Sequence, residues 1–112
     1  MPKTYKPILI ESIKAAVNIE KHRFIGFDGN YCQDKKKALG VSDVEVEAGQ
    51  FAPVAISGIL LVETSGVLAL GDKITSDALG KAKLAANNDE INGYAVDPSA
   101  GTGEIVRIAK GI

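Results

Sequence analysis

Between Gly40 and Ala82 the chain repeats one local device, a glycine beside a small or polar residue that closes one short apolar run and opens the next. Gly49-Gln50 precedes Phe51–Ser57, Gly71-Asp72 precedes Lys73–Ser76, and further on Gly103-Glu104 precedes Ile105–Ala109. Glycine reaches positive φ without a Cβ clash, so glycine with a polar partner ahead of a β-branched run turns the chain into a strand. Repetition of that device predicts a mostly β fold, a compact small β-barrel or β-sandwich of short strands with tight glycine-containing turns and little helix. At 112 residues the chain is one domain, able to bury roughly 60–70% of its unfolded surface without staples.

Residues 1–7 hold Pro2 and Pro7, with Lys3 and Lys6 between them. Proline donates nothing to a ladder, so this segment reads as an extended N-terminal arm ahead of a single β domain over 8–112. Alternation then places Ile13, Ala15, Val17 and Ile19 on one face of a strand, with Lys14, Asn18 and Glu20 opposite. Arg23–Gln33 is a hairpin, with Asp28-Gly29 supplying the positive φ of its turn. The run Asp43–Glu47 fits either a half-buried strand or a connection. Its three carboxylates lack the glycine and tight turn of a calcium loop, which favours a solvated segment.

Phe51–Ser57 carries Pro53, which sends that strand to an edge or turns position 53 outward. Gly58–Val62 is apolar on both faces, with Ile59 and Leu61 one way and Leu60 and Val62 the other. Such a strand is central or is covered by another subunit. Val67–Leu70, Lys73–Ser76, Lys81–Ala85, Ile91–Val96 and Ile105–Ala109 complete the strands, with at most a single helical turn at Asp77–Leu79 or Pro98–Ala100.

Composition argues against several functions. Lys and Arg number 13 against 14 Asp and Glu, so no global field gathers nucleic acid or anionic lipid. The basic clusters Lys21-His22-Arg23 and Lys35-Lys36-Lys37 read as solvated edges. Aromatic residues are 5% with no tryptophan, poor material for stacking on bases or sugars. No run approaches the ~20 apolar residues of a membrane helix, and MPKTYKPILI lacks the apolar core of a signal peptide, which suits a cytoplasmic product.

Reactive chemistry is equally sparse. One cysteine, Cys32, and one histidine, His22, cannot build a zinc site within the chain. The expected hairpin allows the two to face each other, but such a cross-hairpin pair more often packs or sits in solvent, and no orienting carboxylate is nearby in sequence, so no catalytic residue is named. Gly101-Thr102-Gly103 precedes a strand rather than a helix and so lacks a phosphate cradle. Leu70–Ala78 has the look of the hairpin in lipoyl and biotinyl carrier domains, but Ala78 stands where the acylated lysine belongs, and Lys81 and Lys83 fall in the next strand. No cofactor is expected.

From Leu39 to Ile108 the ordered set of signals resembles the bacteriophage capsid cement, or head decoration, proteins. The residues that carry it are Leu39-Gly40-Val41, Val46-Glu47-Ala48-Gly49-Gln50, Gly58, Ser65–Asp72, Ser76–Ala82, Ile91–Ala95 and Gly103–Ile108. The resemblance implies a non-enzymatic structural subunit, a homotrimer on the outside of a phage or prophage head. Its partners would be the major capsid protein and itself, with no nucleic acid and no membrane. It would reside in the host cytoplasm before assembly and on the virion surface after it. Within that picture Pro2, Lys3, Tyr5, Lys6 and Pro7 are the expected shell contact, and Ile59, Leu60, Leu61 and Val62 the expected subunit interface. The alternative is a small β-barrel or barrel-sandwich binding module of a larger bacterial complex.

Overall fold

The computed structural model of the chain describes residues 6–111, with eight strands and no helix among them. The frame is the long strand β4 (Phe51–Ser65). From Gly58 onward it pairs antiparallel with β8 (Thr102–Lys110), and Thr64 pairs in parallel with Ala82 of β6 (Ala82–Leu84). The ladder continues from β6 through β5 (Lys73–Ser76) and β7 (Gly93–Ala95) back to β8. The order β4-β6-β5-β7-β8, with β4 against β8, closes a five-stranded barrel.

The first half of β4 carries the remaining strands. Ala55 pairs with both Ile10 of β1 (Lys6–Lys14) and Val41 of β3 (Gly40–Ser42), so these strands flank β4 on opposite edges. β2 (Phe24–Ile25) lies beyond β3. Two apolar cores follow. Leu60, Val62, Ile74, Val106 and Ile108 fill the barrel with Phe24, while Ala52 and Val54 join Ala15, Ile19 and Ile25 in a smaller core under the appended strands. Each fully buried side chain of this size contributes about 1.5–3 kcal/mol.

The three turn glycines adopt the conformation that the sequence demands, with φ of +89° at Gly49, +82° at Gly71 and +87° at Gly103. The Asp28-Gly29 hairpin also forms. Gly26 donates its N–H to the Asn30 carbonyl at 2.8 Å, and hydrogen bonds from Asn30 hold the Asp28 carboxyl below the usual carboxylate range.

Several expectations need correction. Phe51–Ser57 and Gly58–Val62 are one strand, and Gly58 is a close-approach point inside it rather than a turn. At φ +119°, Gly58 pairs with Pro7 on one side and Lys110 on the other, and a Cβ there would strike the Lys6 carbonyl. Pro53 is not at a sheet edge. Its carbonyl accepts the Asp43 N–H (3.4 Å) just past the end of β3, so its missing donor faces a connection and costs no ladder bond. The strand expected through Ile19 stops at Lys14. Ala15 and Ile19 still turn inward as alternation requires, but they are tied by Gln50 and Val46 and not by a ladder. Val67–Leu70 reduces to a single bridge, Leu68 with Ser99. Asp43–Glu47 is a connection with one bridge, Val46 to Ile19.

Because Leu60 is wholly inside the barrel and Leu70 stands in solvent, their truncations separate core from surface. Leu60→Ala is expected to lower unfolding free energy by about 2–5 kcal/mol. Leu70→Ala should change it by less than about 0.5 kcal/mol. Urea denaturation of the two variants checks both values.

Candidate interaction surface

The least covered element is β1, whose sequence KPILIESIK pairs, among the described residues, with β4 alone. Its outer edge therefore presents unpaired backbone donors and acceptors. The register slips around Leu9, leaving Ile8 without a partner on β4. That bulge turns Ile8 outward to 83% exposure, beside Leu9 at 42% and Ile10 at 46%. Pro7 and the flanking lysines Lys6 and Lys14 blunt the edge, as charges and proline do on natural sheet edges. Three adjacent exposed aliphatic side chains remain.

Lys6 lies opposite Ile59, so the start of β1 meets the apolar stretch of β4. Ile8, Ile59, Tyr94 and Ala109 line a shallow apolar depression there, with Lys6 and Lys110 among its walls. The structure thus joins two regions the sequence singles out separately. Of the expected shell-contact residues, Lys6 is exposed and Pro7 half-buried, while Pro2, Lys3 and Tyr5 lie outside the described residues. Of the expected interface residues, Ile59 and Leu61 face outward and are half-buried. Leu60 and Val62 cannot meet a partner, because barrel closure buries both completely.

Charge is placed differently from the sequence expectation in one respect. Arg23 is not on a solvated edge but 8% exposed. Its guanidinium meets Glu20 at 3.0 Å, Glu63 at 3.5 Å and the Leu79 carbonyl at 3.1 Å, and it lies over the Tyr31 ring, 5.6 Å from the centroid. Other fasteners also escape sequence reasoning. Buried Asn92 accepts the Ala38 N–H at 2.9 Å and donates to the Lys36 carbonyl at 2.8 Å. Asp97 receives Arg107 in a two-pronged pair at 2.9 and 2.8 Å. These bonds pin loops to the barrel and give the surface a fixed shape. Lys110, one residue past the strand expected from the sequence, also turns inward, in step with Val106 and Ile108 of β8.

His22 and Cys32 do not meet. His22 has φ +64° and is locked by backbone bonds to Ser42 and Glu63. Burial, then Lys21, pushes its pKa down. The Cys32 thiol donates to the carbonyls of Gln33 (3.5 Å) and Lys36 (3.3 Å), and burial pushes its pKa up. A buried, protonated thiol is a poor nucleophile. Among the described residues no three His, Cys, Asp or Glu side chains are grouped to hold a metal ion. A thiol reagent is expected to label Cys32 slowly in native buffer, with a rate that climbs in step with urea unfolding. Fast native labelling contradicts this burial.

The family model described as phage cement protein matches residues 5–110. Among solved structures, the head fiber gp8.5 N base of bacteriophage phi29 superposes with a TM-score of 0.77 at 17% identity, covering 92% of this chain and 93% of that one. At that identity the likeness speaks for a shared fold. No curated protein matches the sequence. A cement-family match across nearly the whole described chain, on a barrel shared with a phage head protein, carries a structural role in the phage capsid: this chain belongs to the phage cement protein family.

Proposed function

We propose that this chain is a capsid decoration subunit that binds the outer surface of a phage or prophage head and stabilises the shell. Its partners in this reading are the major capsid protein and two further copies of itself. It resides in the host cytoplasm before assembly and on the virion surface afterwards. The observation that supports this reading is an unpaired edge strand with exposed Ile8, Leu9 and Ile10 in a member of the cement family. An extended segment of a neighbour adds to such an edge through main-chain hydrogen bonds. The arm residues Pro2, Lys3, Tyr5, Lys6 and Pro7 then touch the shell, and Ile59 and Leu61 contribute to contact between subunits.

The mechanism needs no reactive group. A ligand that binds assembled shell but not free capsid subunits stabilises the shell by RT ln(1 + [L]/Kd), about 2.7 kcal/mol per site at a hundredfold excess over Kd. A trimer that touches several capsid subunits gains further through effective concentration.

Co-sedimentation with heads of the phage that encodes the chain tests this reading. The full chain is expected to pellet with heads, and removal of residues 1–7 to weaken binding at least tenfold, or about 1.4 kcal/mol. Unchanged binding of the truncated chain overturns the role of the arm. Failure of the full chain to bind heads overturns the reading itself.

A further inference from the structure

Most carboxylates of this chain are engaged within it. Glu20 and Glu63 meet Arg23, Asp34 meets Lys83, and Asp97 meets Arg107. Asp72, Asp77, Asp89 and Glu104 accept backbone N–H groups in their own turns. One contiguous set stands apart. Among the described residues, the side chains of Asp43, Glu45 and Glu47 have neither a hydrogen bond nor an ion pair, with His22 near Asp43, and Val44 between them is exposed; Glu11 and Glu90 are also unpaired but stand singly. The segment is nevertheless ordered. Val46 is bridged to Ile19, and Asp43 is bonded to the Pro53 carbonyl. A fixed segment loses little freedom on docking.

At the other end of β4 the imbalance is reversed. Lys110 is 5% exposed, and its amine has one hydrogen bond, to the Gly111 carbonyl at 3.3 Å. Among the described residues, no carboxylate pairs with it. Its charged neighbour is another cation, Lys37, whose amine meets the Ile91 carbonyl at 2.7 Å. Burial first, and Lys37 second, bring the Lys110 pKa down to about 8. A buried cation without an anion is costly. Lys110 lines the apolar depression of Ile8, Ile59 and Tyr94, and Lys37 lines an adjoining hollow that shares Tyr94, Ala109 and Gly111 with it.

The Glu47 end of the acidic segment is bonded to Gln50 and its Asp43 end to Pro53, while the depression begins at Gly58. At ~3.3 Å per strand residue these ends lie roughly 26 and 16 Å from Gly58 along β4, so one chain does not bring its own two surfaces into contact.

We propose that the Asp43–Glu47 segment of a second copy docks in this depression, with Glu45 and Glu47 facing Lys37 and Lys110. The contact joins two different surfaces, and such head-to-tail contacts close into a ring when the rotation allows. This deepens the self-association in the proposed function by assigning the surfaces that meet.

Light scattering and sedimentation equilibrium of the full chain test it with exposed residues only, Lys37→Glu and the pair Glu45→Lys with Glu47→Lys. Urea midpoints close to wild type verify folding. Wild type is expected to run as a multiple of the chain mass, and each reversal to raise the dissociation constant at least tenfold. All three changes in one chain should recover association relative to the Glu45→Lys, Glu47→Lys pair, because the Lys37 contact is then reversed on both sides while Lys110 keeps its charge. A monomeric wild type at micromolar concentration overturns the inference. So do reversals that leave the mass unchanged, or a triple variant that fails to recover. The same samples are spun with heads. A monomer that binds heads overturns this contact alone, and a ring that recovers by charge reversal yet ignores heads overturns the shell reading alone.

Discussion

The antiparallel ladder between β4 and β8, from Gly58 with Lys110 to Ser65 with Thr102, is the contact on which the rest of the structure depends. It closes the barrel, which decides that Leu60 and Val62 face inward while Ile59 and Leu61 face out. It also sets β1 where it stands. Gly58 pairs with Pro7 on one side and Lys110 on the other, and only a residue without a Cβ permits β1 to approach it. The exposed edge of β1 and the depression beside it are consequences of that closure.

What the sequence made legible was local. Glycine with a polar partner marked the turns at Gly49, Gly71 and Gly103, and Asp28-Gly29 marked the hairpin, because each needs a backbone conformation that few residues tolerate. What escaped was set by distant partners. An apolar stretch with both faces apolar, such as Ile59–Val62, does not declare which face is inside, and only the β8 pairing resolves it. Gly58 opened the second of two expected strands, and only the pairing partners on either side show that one strand runs straight through it. Arg23 looked like part of a surface charge run because its partners Glu63 and Leu79 lie 40 and 56 residues away. Similarly, Ile13–Ile19 had the right alternation, but a strand also needs a neighbour, and beyond Lys14 the ladder ends.

Several polar groups inside this molecule fix the position of its loops. Arg23, Asn92, Asp97 and the Thr64–Ser99 hydroxyl pair at 3.0 Å each fasten a loop to the barrel. Loops held this way give up less entropy when a surface is covered, so more of the contact energy is expressed as affinity. A clamp depends on that economy. The exposed aliphatic run of β1 would be a liability on a free monomer, and its retention makes sense where a partner covers it.

The central claim is that binding, with no bond made or broken, is how this subunit acts on a shell. Scanning calorimetry of mature heads stripped of the protein and then titrated with it measures that directly. The account predicts a disruption temperature that climbs with free protein concentration and keeps climbing logarithmically after the sites are filled. Heads that carry the bound protein at full occupancy and melt at the temperature of bare heads contradict it.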